Sequence, residues 1–202
     1  APKLKVVNAL TDEEHPCQAL ADCLTLTERL GNLRGRAIAF VGDGNNVAAS
    51  LAHAGAMLGM HVRVASPKGY ELPAEVAEAA RAVARHGATV TVSNNARAAV
   101  KGADAIYTDV WASMGQEDEA DERERIFEPY QVNEALMGAA GPDAIFMHCL
   151  PAHRGLEVTD PVMDSTASVV FEQAENRLHA QKALLALLMA RCIGLLHILA
   201  DG

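Results

Sequence analysis

The sequence predicts an α/β domain built on a doubly wound, mostly parallel sheet of five strands with helices on both faces. Three observations lead there. Short apolar runs of β type alternate with Ala-rich stretches of helical spacing, each run is only about five residues long, and most runs stop at glycine, proline or asparagine. Strands covered on both faces read as continuous apolar runs rather than as alternating ones. The chain has 202 residues, half of them apolar, which is one large domain or two small ones at roughly 100–200 residues each. That apolar content excludes a disordered chain.

The elements follow in order. Residues 36–41 (RAIAFV) form a buried strand ended by Gly42-Asp43-Gly44, and 45–59 have helical spacing. Residues 61–65 (HVRVA) form a second strand, stopped by Pro67-Lys68-Gly69, and 72–86 a helix with its charges on one side. Residues 88–92 are a third strand, 94–100 a short helix, 103–108 a fourth strand and 144–148 (AIFMH) a fifth. Two segments frame this unit. His15-Pro16 opens a helix reaching about residue 30, with proline where a missing N–H costs nothing. A closing helix runs from 172 to about 191.

The C-terminal run ALLALLMARCIGLLHILA (183–200) approaches a membrane span in length, but Arg191, Gly194 and His197 interrupt it. It is read as a soluble helix. Leu184, Leu185, Leu187, Leu188, Ile193, Leu195, Leu196, Ile198 and Leu199 cover more than one of its faces, so it needs a partner.

Charge and cysteines narrow the class. Lys+Arg 17 against Asp+Glu 26 gives a net charge of −9, with no basic cluster, so a nucleic-acid partner is not expected. An anionic substrate would need a few local cations. Cys17, Cys23, Cys149 and Cys192 form no C-x-x-C pair and no disulfide framework, which points to a reducing, cytoplasmic compartment. The opening residues APKLKVVNAL lack the apolar core of a signal peptide.

In open α/β sheets, ligands bind outside the carboxyl ends of the strands. Four loops are therefore candidates: 42–47, 66–70, 109–116 and 149–154. The G-x-G of Gly42-Asp43-Gly44 invites a dinucleotide reading, but Val47 holds the third glycine position and Ser66-Pro67 stand where a ribose-binding carboxylate belongs. The turn reads as a tight strand-to-helix connection, and Asn45 and Asn46 offer two amides to a small polar ligand. Asp109 can hold an ammonium group while Ser113 and the backbone at Met114 hold a carboxylate, which suits an amino acid; the alternative is a helix N-cap. The acidic run 117–122 reads as a solvated face. Cys149, beside His148, is open to three readings: nucleophile, metal ligand or buried thiol. No second cysteine pair supports zinc. His15 and Gln18 share one helical face at a helix start, where an anion is favoured. Arg177 falls in the first turn of the closing helix, where a lone arginine is commonly a surface ion pair.

HPCQALAD, GDGNN, TDVWASMGQE, HCLPAHRG and FEQAENRLHAQKA, in this order and over residues from about 6 to about 190, resemble the ornithine carbamoyltransferases. HPCQ alone marks the wider carbamoyltransferase family; the SMG loop with HCLP points to the ornithine branch. The resemblance implies an aspartate/ornithine carbamoyltransferase-like domain with no cofactor and no metal. It implies carbamoyl phosphate contacts at His15, Gln18 and Arg177, ornithine contacts at Asn46, Asp109, Ser113 and Met114, and Cys149 and Leu150 at the reacting centre. Cys149, Arg177, His15 and Asp109 are the implied catalytic set. Donors from His15 and Arg177 would stabilise the oxyanion, while Asp109 and Cys149 would position the ornithine δ-amine and accept its proton.

Members of the family carry a carbamoyl-phosphate domain with a Ser-Thr-Arg-Thr loop, and no S-T-R-T occurs in these residues. The implied organisation is a bridging segment (1–35), an ornithine-binding domain (36–171) and a terminal helix (172–202) that packs on the other domain. The expected partners are L-ornithine and carbamoyl phosphate, with no membrane, and a homo-oligomer, a trimer in the family, or a separate carbamoyl-phosphate domain. An ornithine-binding module inactive by itself, a putrescine carbamoyltransferase and a nicotinamide oxidoreductase are the alternatives.

Overall fold

A computed structural model describes residues 4–112 and 120–193. Five strands, β1 (Ala37–Val41), β2 (His61–Ala65), β3 (Val90–Ser93), β4 (Ala105–Thr108) and β5 (Ile145–His148), form one sheet in the order β3-β2-β1-β4-β5. Every pairing is parallel. The doubly wound sheet read from the sequence is therefore present. Its strands are apolar throughout because both faces are covered. In β1, Ile38 and Phe40 enter a core with Leu51, Ala52, Met60 and Leu26, while Ala39 and Val41 face Ala96, Val100, Ile106 and Phe146.

The helices are α1 (Pro16–Leu30), α2 (Asn46–Met57), α3 (Ala74–Ala82), α4 (Ala96–Val100), α5 (Ala120–Phe127), α6 (Glu134–Met137), α7 (Asp160–Met163) and α8 (Val170–Ile193), with a 3-10 turn at Glu128–Tyr130. Three differ from expectation for local reasons. α3 is shorter than 72–86: Pro73 (φ −51°, ψ 138°) is its N-cap, and His86 (φ 55°) and Gly87 (φ 79°) turn the chain into β3. α5 starts inside the acidic run read as a solvated face. Asp121 and Glu122 are exposed as expected, but Arg123 and Phe127, on the opposite side, are buried. α8 begins at Val170, so Arg177 lies beyond the second turn rather than in the first.

α1 and α8 pack together through buried polar side chains. Asn176 Nδ2 donates to Thr25 Oγ1 (2.9 Å) and Glu28 Oε2 (2.7 Å), and Gln173 Nε2 donates to Asp22 Oδ1 (2.7 Å). The outer side of α8 leaves Leu178, Leu185, Leu187 and Met189 exposed. The remainder of the predicted apolar run, from residue 194 on, lies outside the described residues, as does the side chain of Cys192. No helix among the described residues is long and apolar enough to cross a membrane.

Candidate active site

The strand order reverses between β1 and β4, and the crevice at such a reversal is where open α/β sheets hold ligands. The loops after β1, β4 and β5 meet there, joined by the starts of α1 and the middle of α8.

After β1, the chain turns at Gly42 (φ +143°), and Gly44 passes so close to the 71–72 backbone that a Cβ would lie 2.2 Å from the Leu72 nitrogen. This requirement, not a dinucleotide, explains the G-x-G. The adjacent asparagines do different work. Asn45 caps α2, its Oδ1 accepting the N–H of Val47 (3.1 Å) and Ala48 (3.2 Å), and its Nδ2 donates to Asp109 Oδ2 (2.7 Å). Asn46 donates Nδ2 to the Thr11 carbonyl (2.7 Å), tying the N-terminal segment to the loop.

Past β4, Asp109 Oδ1 accepts the N–H of Val110 (2.8 Å) and the thiol of Cys149 (2.9 Å). The carboxyl is thus aimed by three donors from three loops. Burial and the neighbouring Asp109 push the Cys149 thiol well above the usual range. Cys149 is therefore a thiol that donates to the Asp109 carboxyl.

The loop after β5 is held from below. His148 Nδ1 accepts the Leu150 N–H (2.9 Å), so the ring proton sits on Nε2 and is donated to Glu157 Oε1 (3.3 Å). Glu157 is fully buried and also accepts the His153 N–H. This brace holds Leu150 at φ 58°, a left-handed conformation uncommon for a leucine and typical of functional loops. Among the described residues, Asp109, His148 and Cys149 bring potential metal ligands within 4.8 Å of one another. With both nitrogens engaged, His148 has no lone pair to offer.

At the other end, the His15 N–H donates to Ser50 Oγ (2.8 Å), and Nδ1 faces the Ala9 carbonyl (2.8 Å). Nδ1 is therefore the protonated nitrogen, and burial with the nearby Arg177 charge lowers the ring's pKa. The neutral ring has Nε2 as an acceptor, where the sequence reading assigned a donor. Arg177 donates Nη1 to Gln18 Oε1, and Nη2 and Nε to the Gln181 side chain, whose amide turns its oxygen toward them (2.9 Å each). It is not the surface ion pair its position first suggested.

His15, Gln18, Asn46, Asp109, Cys149, Leu150 and Arg177 line one cavity of about 480 Å³, together with Thr11, Asp12 and His153. Ser113 and Met114 lie outside the described residues. The cavity has a cationic end at Arg177 and a carboxylate end at Asp109, and His15 senses both charges. Two residues, Asp22 and Arg123, and one role, that of Asn45, are not legible in the sequence. Asn45 orients Asp109. Asp22 sits beneath Gln18. Arg123 donates Nε to the Trp111 carbonyl, pairs with Asp43 and lies 4.7 Å from the centre of the Tyr70 ring, tying the loops after β1 and β4 together. The only signal for Asp22 was its i+4 spacing from Gln18.

Fold and site define a doubly wound α/β domain with a cavity of mixed charge where the strand order reverses. Known proteins narrow this class. Residues 34–188 match the Asp/Orn binding domain of aspartate/ornithine carbamoyltransferases, and the chain belongs to that family. It is 59% identical to an ornithine carbamoyltransferase of Parasynechococcus marenigrum, over 91% of this chain and 58% of that protein. Against an ornithine carbamoyltransferase of Thermococcus kodakarensis the figures are 59%, 91% and 59%. The solved ornithine carbamoyltransferase of Pyrococcus furiosus superposes with a TM-score of 0.84 at 57% identity, over 88% of this chain and 57% of that one. The chain thus spans about three fifths of the length of the relatives it matches.

Proposed function

We propose that the polypeptide bearing this domain is an ornithine carbamoyltransferase, transferring the carbamoyl group of carbamoyl phosphate to the δ-amine of L-ornithine to give L-citrulline and phosphate. The observation that carries the reading is the cavity itself, with Arg177 and His15 at one end and Asp109, aimed by Asn45, Val110 and Cys149, at the other.

The δ-amine must be neutral to attack. For a lysine-like pKa of about 10.4 that costs on the order of 4–5 kcal/mol at pH 7. Asp109 supplies the acceptor for the departing proton, and the Cys149 thiol holds that carboxyl in place. As the C–N bond forms, charge grows on the carbonyl oxygen. Arg177 has five N–H groups, three of them engaged by Gln18 and Gln181, which leaves two to donate to that oxygen or to the phosphate. His15 Nε2 accepts from the carbamoyl NH2 group. Collapse breaks the C–O bond to phosphate, a good leaving group that needs no cofactor to depart.

In this reading, residues 1–35 bridge to a carbamoyl-phosphate domain, 36–171 bind ornithine, and 172–202 pack on that other domain. The assembly is a cytoplasmic homo-oligomer, a placement the free thiols of Cys17, Cys23 and Cys149 support. Citrulline formation by the natural full-length polypeptide tests the proposal. Turnover with ornithine that Asp109→Asn abolishes is expected, and ornithine binding without citrulline would leave a binding module instead. The 202 residues alone, without a Ser-Thr-Arg-Thr loop, are expected to turn over little.

A further inference from the structure

Asp22 is fully buried on α1, one turn beyond Gln18, and the reaction above does not use it. Its surroundings fix the direction of every hydrogen bond it makes. Gln18 Oε1 accepts from Arg177, which can only donate, so Gln18 must present its NH2 group to Asp22 Oδ1 (2.8 Å). Gln173 Oε1 accepts the His148 backbone N–H (3.0 Å), so its NH2 group likewise faces Asp22 Oδ1 (2.7 Å). One carboxyl oxygen thus takes two amides, one from beneath the Arg177 end of the cavity and one from beneath the loop after β5.

The other oxygen, Oδ2, is buried and makes no hydrogen bond of good geometry; the similarly buried hydroxyl of Tyr107 is the group that faces the carboxyl. The titratable groups facing Asp22 are Arg177 of α8, Tyr107 of β4, Cys23 of α1 and Cys149 after β5. Arg177, the one cation among them, makes no direct ion pair with Asp22 and is linked to it through the Gln18 amide that bonds to both. A carboxylate buried without a cation partner is costly and takes up a proton instead. Two donors already occupy Oδ1, so the proton belongs on Oδ2.

We propose that Asp22 is a positioning residue that works as a neutral acid, clamping Gln18 against Arg177 while leaving the guanidinium charge unneutralised for the anionic substrate. The inference rests on the proposed reaction only for the name of that anion. Burial, opposed by the two glutamine amides, the Tyr107 hydroxyl and Arg177, raises the Asp22 pKa to about 7. An anion at Arg177 and a negative Asp22 behind it repel one another, so anion binding and the Asp22 proton are reciprocally coupled. Anion affinity therefore falls as pH rises through the titration of Asp22.

The test uses sulfate, whose charge is constant over the range, titrated calorimetrically at pH 6.5 and 8.5. The wild type should bind sulfate at least about fivefold more weakly at pH 8.5, the lower end of common coupling strengths. Asp22→Asn keeps an acceptor for both amides and an N–H where the acid has its O–H, so its affinity should stay level. That variant retains every other titratable group, His153 at the cavity rim included. Asp22→Leu, which releases Gln18, should weaken sulfate at both pH values. Carboxyl carbon NMR, assigned by the Asn variant, reads the proton directly. A carboxyl already ionised at pH 6, equal wild-type affinities at the two pH values, or no sulfate binding at all overturns the proposal. If the shifts occur but the full-length polypeptide makes no citrulline, the proposal stands and the reading of the reaction fails.

Discussion

Arg123→Met removes a guanidinium from the interior and keeps much of its stem. The Arg123 side chain is 4% exposed and its partner Asp43 15%. The guanidinium also lies against the rings of Tyr70 (4.7 Å) and Phe127 (5.3 Å). Taking one partner from a buried ion pair costs about 3–5 kcal/mol, because the other charge stays behind. The lost ring contacts add about 0.5–2 kcal/mol, partly offset by the methionine's own burial. A net loss of about 3–5 kcal/mol is expected, a large part of the roughly 5–15 kcal/mol of a typical domain. The pH dependence identifies the cause. Burial already holds the Asp43 carboxyl above its ordinary 3.8, with Arg123 as the main opposing influence, so losing Arg123 raises it further. A carboxyl raised in the folded state binds protons that the unfolded chain has lost, so stability falls as pH climbs from the unfolded value through the folded one. Urea unfolding should show a larger loss at pH 8 than at pH 5. Adding Asp43→Asn should return about 1 kcal/mol or more at pH 8. A single variant within about 1 kcal/mol of wild type at pH 8, or a double variant no more stable than the single, would refute this account of Arg123.

Three further outcomes are expected. Asp109→Asn should weaken L-ornithine binding by about 2–5 kcal/mol in calorimetry, the usual cost of losing one member of a desolvated charge pair; unchanged affinity would remove Asp109 from the ammonium site. Cys149 should react with iodoacetamide at pH 8 at least about tenfold more slowly than a free thiol of pKa about 8.5, and Asp109→Asn should speed it by removing the charge that raises its pKa. Alkylation at the free-thiol rate would contradict the thiol–carboxyl contact. The exposed Leu178, Leu185, Leu187 and Met189 of α8 should make the chain self-associate in light scattering, and ending it after Lys182 should lower its apparent mass. A monomer at high concentration in both forms would show that this face needs no cover.

Much of the fold was legible because its signals are local. A five-residue apolar strand and the turn that ends it occupy a dozen consecutive positions, so all five strands are legible to within two residues at each end. The loops they deliver could be named from chain order alone. α5 was not legible, because three of its first five residues are acidic or basic and face water, and its buried side shows only as Arg123 and Phe127. A buried arginine carries no local signal: partners such as Asp43, eighty positions away, make it stable inside.

The residues alone determined the class of fold and named the loops after β1, β4 and β5 and the side chains they bring to the cavity; the fourth candidate loop, 66–70, does not line it. Those follow from periodicity, turn chemistry and motif, which act over short spans. The tertiary structure decided what each side chain does. It set Cys149 as a donor to Asp109, His15 as an acceptor through the Ala9 carbonyl, Asn45 rather than Asn46 as the group that aims Asp109, and Asp22 as the buried partner of Gln18. The physical reason is that a motif names the atoms present, while protonation and hydrogen-bond direction depend on burial and on partners up to about 150 positions away, as Asp22 and Gln173 are.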